Sequence, residues 1–161
     1  PQCSRSINMF YDCRSLTSLR GTFNSLTWAD AMFYNCYALG TLENVSFTGS
    51  KPRTASSMFY GCRSLAKISG IDFSNCEYAL SIFSTCNNLE DLSQLTFTNK
   101  LKVAGGMFSS CYSLKKLPQL DLRNAISVDK LFSHSYSLTE LHTMLEQKEE
   151  RIAQTMCYNC Y

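Results

Sequence analysis

Apolar residues return in a fixed order along this chain, every 23 to 26 residues. Each unit is built around a phenylalanine, with Met, Ile or Leu directly before it, Cys or Ser three residues after it and Leu six residues after it. The phenylalanines that mark the units are Phe10, Phe33, Phe59, Phe83, Phe108 and Phe132. A period of this length is typical of repeat architectures, in which each unit buries its apolar face against its neighbours.

Two short elements are predicted within each unit. The phenylalanine, the residue before it and a small residue four positions before it would share one face of a helical turn. Further along, apolar-polar-apolar triplets such as Val45-Ser46-Phe47 and Leu95-Thr96-Phe97 have the period of two that is typical of a strand. The pattern therefore predicts a repeat solenoid of about six rungs, each with one short strand and one short helical turn.

The last part of the chain departs from this pattern. Leu141, Leu145, Ile152 and Met156 are spaced as on one face of an amphipathic helix. We interpret residues 142–161 as a modified rung or a cap region, and residues 1–161 as one solenoid domain. Because the sequence opens on Pro1 and stops inside a repeat, we expect it to be a fragment of a longer chain.

Composition narrows the possible functions. Of the 161 residues, 45% are hydrophobic and 17% are charged, and the formal net charge is only +2. Such a balance does not favour nucleic acid as a partner. No run of 18 apolar residues is present, so insertion into a membrane is not expected either.

The repeated phrase Met-Phe-x-x-Cys-x-Ser-Leu-x-x-Leu, followed by a short strand, resembles the BspA-like class of leucine-rich repeats. The resemblance covers nearly the whole chain. It implies a leucine-rich-repeat-like solenoid without catalysis, located outside the cell or on the cell surface and acting in adhesion or binding. One departure is the position eleven residues after the phenylalanine, where that family often has an apolar residue. Here that position holds polar residues or glycine, namely Asn44, Gly70, Gln94 and Gln119. This departure implies a shifted or shorter strand.

The cysteines invite three interpretations. Six of the nine occupy one repeat position, and they are Cys13, Cys36, Cys62, Cys86, Cys111 and Cys160. We expect a column of buried free thiols, since Ser135 fills the same position in the last unit. Disulfides between neighbouring rungs are an alternative. The pair Cys157 and Cys160 is only half of a zinc motif, and Cys157 replaces the phenylalanine, so we expect it in the core.

Nothing in the sequence indicates an enzyme. The two histidines, His134 and His142, are not paired with a nucleophile, and His134 is expected to be a solvated turn residue. Gly105-Gly106 is too short for a phosphate-binding loop. We therefore predict no catalytic residues, no metal site and no cofactor.

In repeat proteins, binding residues are expected at positions that recur in every unit but hold different residue types. The positions one and four residues after each phenylalanine are rich in Tyr and Arg, which often anchor interfaces. The predicted binding residues are Arg14, Tyr34, Tyr37, Tyr60, Arg63, Tyr112 and Tyr136. In the alternative interpretation, these tyrosines only shield the edge of the core. A second candidate surface is the polar strand positions Ser46, Asp72, Thr96 and Asp121.

We predict a non-enzymatic binding module exposed on a surface, with a protein or glycan on another cell or a host as its partner. The alternative is a structural or receptor-recognition segment of a larger assembly, such as a phage tail fibre or a surface filament.

Overall fold

The computed structural model describes residues 4–139 and 155–157. Its strands are β1 (Gly21–Thr22), β2 (Val45–Ser46), β3 (Thr96–Phe97) and β4 (Gln119–Leu120). β1 pairs with β2 and β3 pairs with β4, both in parallel. The apolar-polar-apolar triplets at residues 21–23, 45–47 and 95–97 therefore contain strands, whereas the triplet at 71–73 does not.

Parallel bridges join the same position of every unit, five residues before the phenylalanine. They link Arg5, Trp28, Thr54, Tyr78, Val103 and Ser127, each to the next. Each unit is therefore one rung, stacked on the following rung in parallel. We number the rungs 1 to 6 by their phenylalanines, from Phe10 to Phe132, and the predicted number of about six is confirmed.

The segment around each phenylalanine consists of reverse turns where the sequence predicts a helical turn. In rung 2, Ala31 and Asn35 have φ angles of 51° and 57°. Each is the third residue of a turn, closed by the bonds from Met32 N to Ala29 O (3.3 Å) and from Cys36 N to Phe33 O (3.1 Å). Left-handed residues two positions before and two positions after the phenylalanine cannot continue a right-handed helix.

These turns direct alternate backbone N–H groups towards the next rung. The N–H of Phe33 donates to Met58 O at 2.8 Å, and the N–H of Asn35 donates to Tyr60 O at 2.7 Å. The N–H groups between them close the turns within the rung. Backbone donors in the buried face are thereby satisfied without regular helix or long strands.

The core is a set of side-chain columns that run through the stack. The phenylalanine rings lie nearly parallel, with centroids 5.5 Å apart between Phe33 and Phe59 and 5.9 Å apart between Phe83 and Phe108. The preceding Met, Ile or Leu residues of rungs 2 to 6 are fully buried beside them. A second column includes Phe73 and Phe97, whose centroids are 5.0 Å apart.

In rungs 2 to 6, the thiol or hydroxyl three residues after the phenylalanine donates to the phenylalanine carbonyl of the preceding rung. The acceptors are Phe10, Phe33, Phe59 and Phe83 for Cys36, Cys62, Cys86 and Cys111, at 3.0–3.2 Å. The Ser135 hydroxyl donates in the same way to Phe108 O at 2.5 Å. This column therefore ties rungs together as well as filling space, which explains why serine can replace cysteine.

The predicted buried free thiols are confirmed in rungs 2 to 5. Burial raises the pKa of Cys36 to about 11 and that of Cys111 to about 12. Cys13 is also free, but it is exposed, because no described rung covers the outer side of rung 1.

The strand register changes along the stack. Gly21 pairs with Val45, as expected when the triplets at residues 21–23 and 45–47 are aligned. Phe97, however, pairs with Leu120, although the spacing aligns it with Leu122. Pro118 has no N–H to donate, so the first strand bond from this rung runs from Gln119 N to Leu95 O at 3.0 Å.

At the end of the stack, residues 155–157 lie against rung 6. Met156 is fully buried, and its carbonyl accepts the N–H of Phe132 at 2.9 Å. Cys157 packs against the core, as its place in the phenylalanine position predicts. Of the helix predicted between Leu141 and Met156 beyond rung 6, only residues 155 and 156 are described, and they are helical. Cys160 and the other residues of the region 142–161, apart from Cys157, lie outside the described residues.

Candidate functional site

Three tyrosines stack on one surface of rungs 1 to 3. The ring centroids of Tyr11 and Tyr34 are 4.7 Å apart, and those of Tyr34 and Tyr60 are also 4.7 Å apart. The rings lie within 7° of parallel. Each tyrosine directly follows the phenylalanine of its rung, so the backbone repeat sets their spacing. We call Tyr11, Tyr34 and Tyr60 the tyrosine ladder.

A second column lies four residues after the phenylalanine. The guanidinium carbons of Arg14 and Arg63 lie 5.3 Å and 4.7 Å from the ring centroid of Tyr37. Because Arg14 belongs to rung 1 and Arg63 to rung 3, the ring of Tyr37 lies between the two cations. Such stacking is favourable because the aromatic face carries negative charge density. We call these three residues the Arg-Tyr-Arg cluster.

Polar residues two positions after the phenylalanine lie beside these columns. The carboxylate of Asp12 accepts bonds from Arg14 Nε at 2.9 Å and from Asn35 Nδ2 at 3.2 Å. The bond from Arg14 lowers the pKa of Asp12 below its usual value. In rung 3 this position is Gly61, where a Cβ atom would lie 2.6 Å from Asn35 Oδ1. Asn35 therefore requires the space that glycine leaves.

The two columns are close enough to influence one another. Burial raises the pKa of Tyr34, and the neighbouring Tyr60, Tyr11, Tyr37 and Asp12 raise it further. The structure therefore brings five predicted residues into one surface, to which it adds Tyr11, Asp12 and Asn35. Those three residues repeat in register with the predicted ones, so the sequence period could have identified them.

The other two predicted residues form a separate group in rungs 5 and 6. The rings of Tyr112 and Tyr136 stack with centroids 5.9 Å apart. His134 Nδ1 lies 2.7 Å from the Tyr136 hydroxyl. His134 is thus part of this group, although the sequence suggested only a solvated turn residue. Asn87 of rung 4 stands between the two groups.

The second candidate surface is a groove along the strands. Thr96 and Asp121 line an open groove of about 700 Å³ together with Gln119 and Arg123. Arg123 forms an ion pair with Asp121 at 2.6 Å. This groove contains none of the predicted Tyr and Arg residues.

The buried cysteines among the described residues are poor candidates for a catalytic nucleophile. Burial raises the pKa of Cys76 to about 12, and a thiol held in its neutral form is a poor nucleophile. In residues 4–139 and 155–157, no three His, Cys, Asp or Glu side chains are grouped closely enough to hold a metal ion. Within the same ranges, no helix has both the length and the apolar character that crossing a membrane requires.

The repeat matches a known family model, described as the BspA type leucine-rich repeat region. The model describes a region of six copies of the repeat and matches residues 4–139 and 79–161. The chain belongs to the BspA-type leucine-rich repeat family. Its repeat is therefore a leucine-rich repeat, as the recurring phrase predicts. Comparison of this BspA-type chain with curated proteins finds no match.

Two solved structures share the fold of this BspA-type chain. A leucine-rich repeat protein of T. pallidum is 20% identical, with a TM-score of 0.59 over 89% of this chain and 76% of that one. A leucine-rich cell surface protein of Faecalibacterium prausnitzii is 19% identical, with a TM-score of 0.55 over 76% of this chain and 38% of that one. At such identity the likeness concerns the fold alone.

Proposed function

We propose that this BspA-type chain is a non-enzymatic binding module with a solenoid shape, which acts on a cell surface or outside the cell. We further propose that residues 1–161 form one solenoid domain of a longer protein. In this proposal the partner is a macromolecule on another cell or a host, bound through the tyrosine ladder and the Arg-Tyr-Arg cluster. The observation that carries the proposal is the assembly of both columns on one surface of rungs 1 to 3.

The stacking defines what this surface offers to a partner. Most ring faces in the ladder are covered by the neighbouring ring, 4.7 Å away. Apart from the outer faces of Tyr11 and Tyr60, what remains is a row of ring edges and phenol hydroxyls, beside the N–H edges of Arg14 and Arg63. Rigid aromatic side chains and guanidinium groups lose little entropy when they bind. Carboxylates and carbonyl oxygens on a protein surface are suitable acceptors for such a row.

The family and its structural relatives support the proposal at a coarser level. Stacked leucine-rich repeats expose an extended surface, and repeat proteins commonly use such surfaces for binding. The F. prausnitzii relative is called a cell surface protein.

The decisive experiment compares two double variants for binding to immobilised extracellular proteins and intact cells. The variant Tyr37→Ser/Arg63→Ser removes the centre of the Arg-Tyr-Arg cluster. We expect it to bind at least about tenfold more weakly, as truncation of interface anchors usually does. The control Tyr78→Ser/Arg20→Ser removes the same residue types from exposed positions outside both candidate surfaces and should bind like the wild type.

Equal binding by a folded Tyr37→Ser/Arg63→Ser variant would reject this surface. If no protein or cell binds and the purified chain forms a stable symmetric oligomer, the alternative of a structural segment in a larger assembly is favoured instead. Size-exclusion chromatography with light scattering measures that outcome.

A further inference from the structure

The tyrosine ladder stops at Tyr60, although the rungs continue. The residues that follow the phenylalanines of rungs 4 and 5 are Ser84 and Ser109. A fourth ring at the ladder spacing of 4.7 Å would lie over Ser84. No ring of the ladder fills this place. Tyr34 is covered by a ring on each face, whereas the face of Tyr60 towards rung 4 has no ring on it.

A depression of about 420 Å³ lies at this place. Tyr60 forms one wall, Ser84 and Ser109 lie at the centre, and Asp129 and Lys130 are at the far side. Its volume is within the range of about 300–1,000 Å³ that is usual for sites of small ligands.

Two glycines keep the depression open. A Cβ atom on Gly105 would lie 3.3 Å from Leu80 Cδ1, and one on Gly106 would lie 3.0 Å from Ser81 Oγ. Gly106 also has a φ angle of 60°, which disfavours a larger residue. Gly105-Gly106, which is too short for a phosphate-binding loop, thus forms the floor of the depression beside Tyr60.

Serine hydroxyls in the depression can form hydrogen bonds with a ligand. Ser84 is only 6% exposed, and Ser109 beside it is half-buried. A serine hydroxyl can donate one hydrogen bond and accept others, so both side chains can bond with a ligand that carries hydroxyl groups.

We propose that this depression binds one hexose ring of a glycan, stacked on the free face of Tyr60. The apolar C–H face of the sugar covers the tyrosine, while its hydroxyl groups bond with the hydroxyls of Ser84 and Ser109. An apolar aromatic side chain would fill the same place but would offer no hydrogen bonds to the two serine hydroxyls. The inference rests on the proposed binding function, but it uses residues outside the Arg-Tyr-Arg cluster.

The test is saturation-transfer NMR with methyl β-D-galactopyranoside and methyl β-D-glucopyranoside as probes. The variant Ser84→Tyr should abolish the transfer seen with the wild type, because the new ring continues the ladder and occupies the sugar position. This variant is expected to fold, since Tyr34 and Tyr60 occupy the same position in rungs 2 and 3. Thermal melting verifies the fold.

A second variant removes the stacking surface without filling the depression. We expect Tyr60→Leu to weaken glycoside binding about tenfold, while the control Tyr112→Ser, in the other aromatic group, leaves it unchanged. The inference is overturned if neither glycoside binds the wild type, if Ser84→Tyr binds as well as the wild type, or if N-acetyl-tryptophanamide binds in place of the sugars.

The experiments distinguish a failure of the hexose site from a failure of the proposed macromolecular binding. Tyr37→Ser/Arg63→Ser should lose macromolecular binding and keep glycoside binding. If that variant loses macromolecular binding while no glycoside binds the wild type, the hexose site is rejected and the proposed function remains.

Discussion

Rungs 1 to 3 and rungs 4 to 6 have the same interior but different surfaces. The phenylalanine rings stack at 5.5 Å between Phe33 and Phe59 and at 5.9 Å between Phe83 and Phe108. The residues that directly follow these phenylalanines are tyrosines in the first half and serines in the second half. The spacing of the rungs therefore does not depend on whether tyrosine or serine occupies this position.

The backbone explains this independence. In rung 2 the N–H of Ala31 donates to Ser56 O at 2.9 Å, and in rung 5 the N–H of Gly106 donates to Asp129 O at 2.8 Å. The same bonds form whatever the side chain is. A surface residue can therefore change from Tyr to Ser without altering the path of the chain.

The largest expected effect is the loss of a core ring, and it should be similar in both halves. Phe59→Ala and Phe83→Ala each remove a fully buried ring, so we expect each to lower the free energy of unfolding by about 3–5 kcal/mol. Leu65→Ala should cost about 2–5 kcal/mol for the same reason. Denaturant unfolding measures these values. A variant that unfolds at the same denaturant concentration as the wild type would show that the assigned core position is wrong.

The next effect concerns the donor column. Cys86→Val keeps a similar volume but deprives Phe59 O of the thiol donor, so we expect a loss of about 2 kcal/mol. Cys86→Ser keeps a donor, as Ser135 does in rung 6, and should lose less stability. Equal losses for the two variants in chemical denaturation would show that the thiol only fills space.

Exchanging surface residues between the two halves should have a smaller effect. Tyr34→Ser gives rung 2 the surface residue of rung 4 and removes two stacked contacts, which should cost about 1 kcal/mol. Ser84→Tyr adds one contact and should raise the melting temperature slightly. Calorimetry of both variants measures the stacking, and a rise in melting temperature for Tyr34→Ser would contradict it.

The smallest effect is expected where an ion-pair network connects the two halves. Glu77 of rung 4 accepts bonds from Arg53 Nε at 2.8 Å and from Lys102 Nζ at 2.6 Å. These bonds lower the pKa of Glu77 from 4.5 to about 2. The carboxylate therefore stabilises the fold above pH 4.5, and this contribution is lost as the pH falls through about 2.

Melting curves of Glu77→Gln and the wild type across this pH range provide the measurement. The variant should melt slightly lower at neutral pH, and the difference should vanish in acid. A difference that grows as the pH falls would contradict this assignment.

The period made the core predictable, because the same apolar residues recur in the same order. The turns were not predictable, since Ala31, Ser57 and Ser81 adopt left-handed φ angles of 51–56° without any signal from their residue types. The donor role of the cysteines was indicated only by Ser135, and its geometry depends on how neighbouring rungs face each other.

The candidate surface was predictable only in part. Repeat positions identified the columns that contain Tyr34 and Tyr37, because a residue keeps its direction from rung to rung. They did not reveal that Asp12 connects two rungs, or that Tyr112 belongs to a different group. Such contacts depend on which residues coincide across neighbouring rungs.

Between four residues before and two residues after each phenylalanine, the backbone bonds between rungs run from the N–H groups of one rung to the carbonyl groups of the next, whereas the cysteine thiols donate in the reverse direction. Every internal rung repeats this arrangement, so each junction has the same set of donors and acceptors. Duplication or deletion of one whole unit would leave both junctions intact and change the length of the stack by about 4.8 Å. A gene built on such a repeat can acquire a longer or a rearranged surface in a single recombination event, without refining its core again.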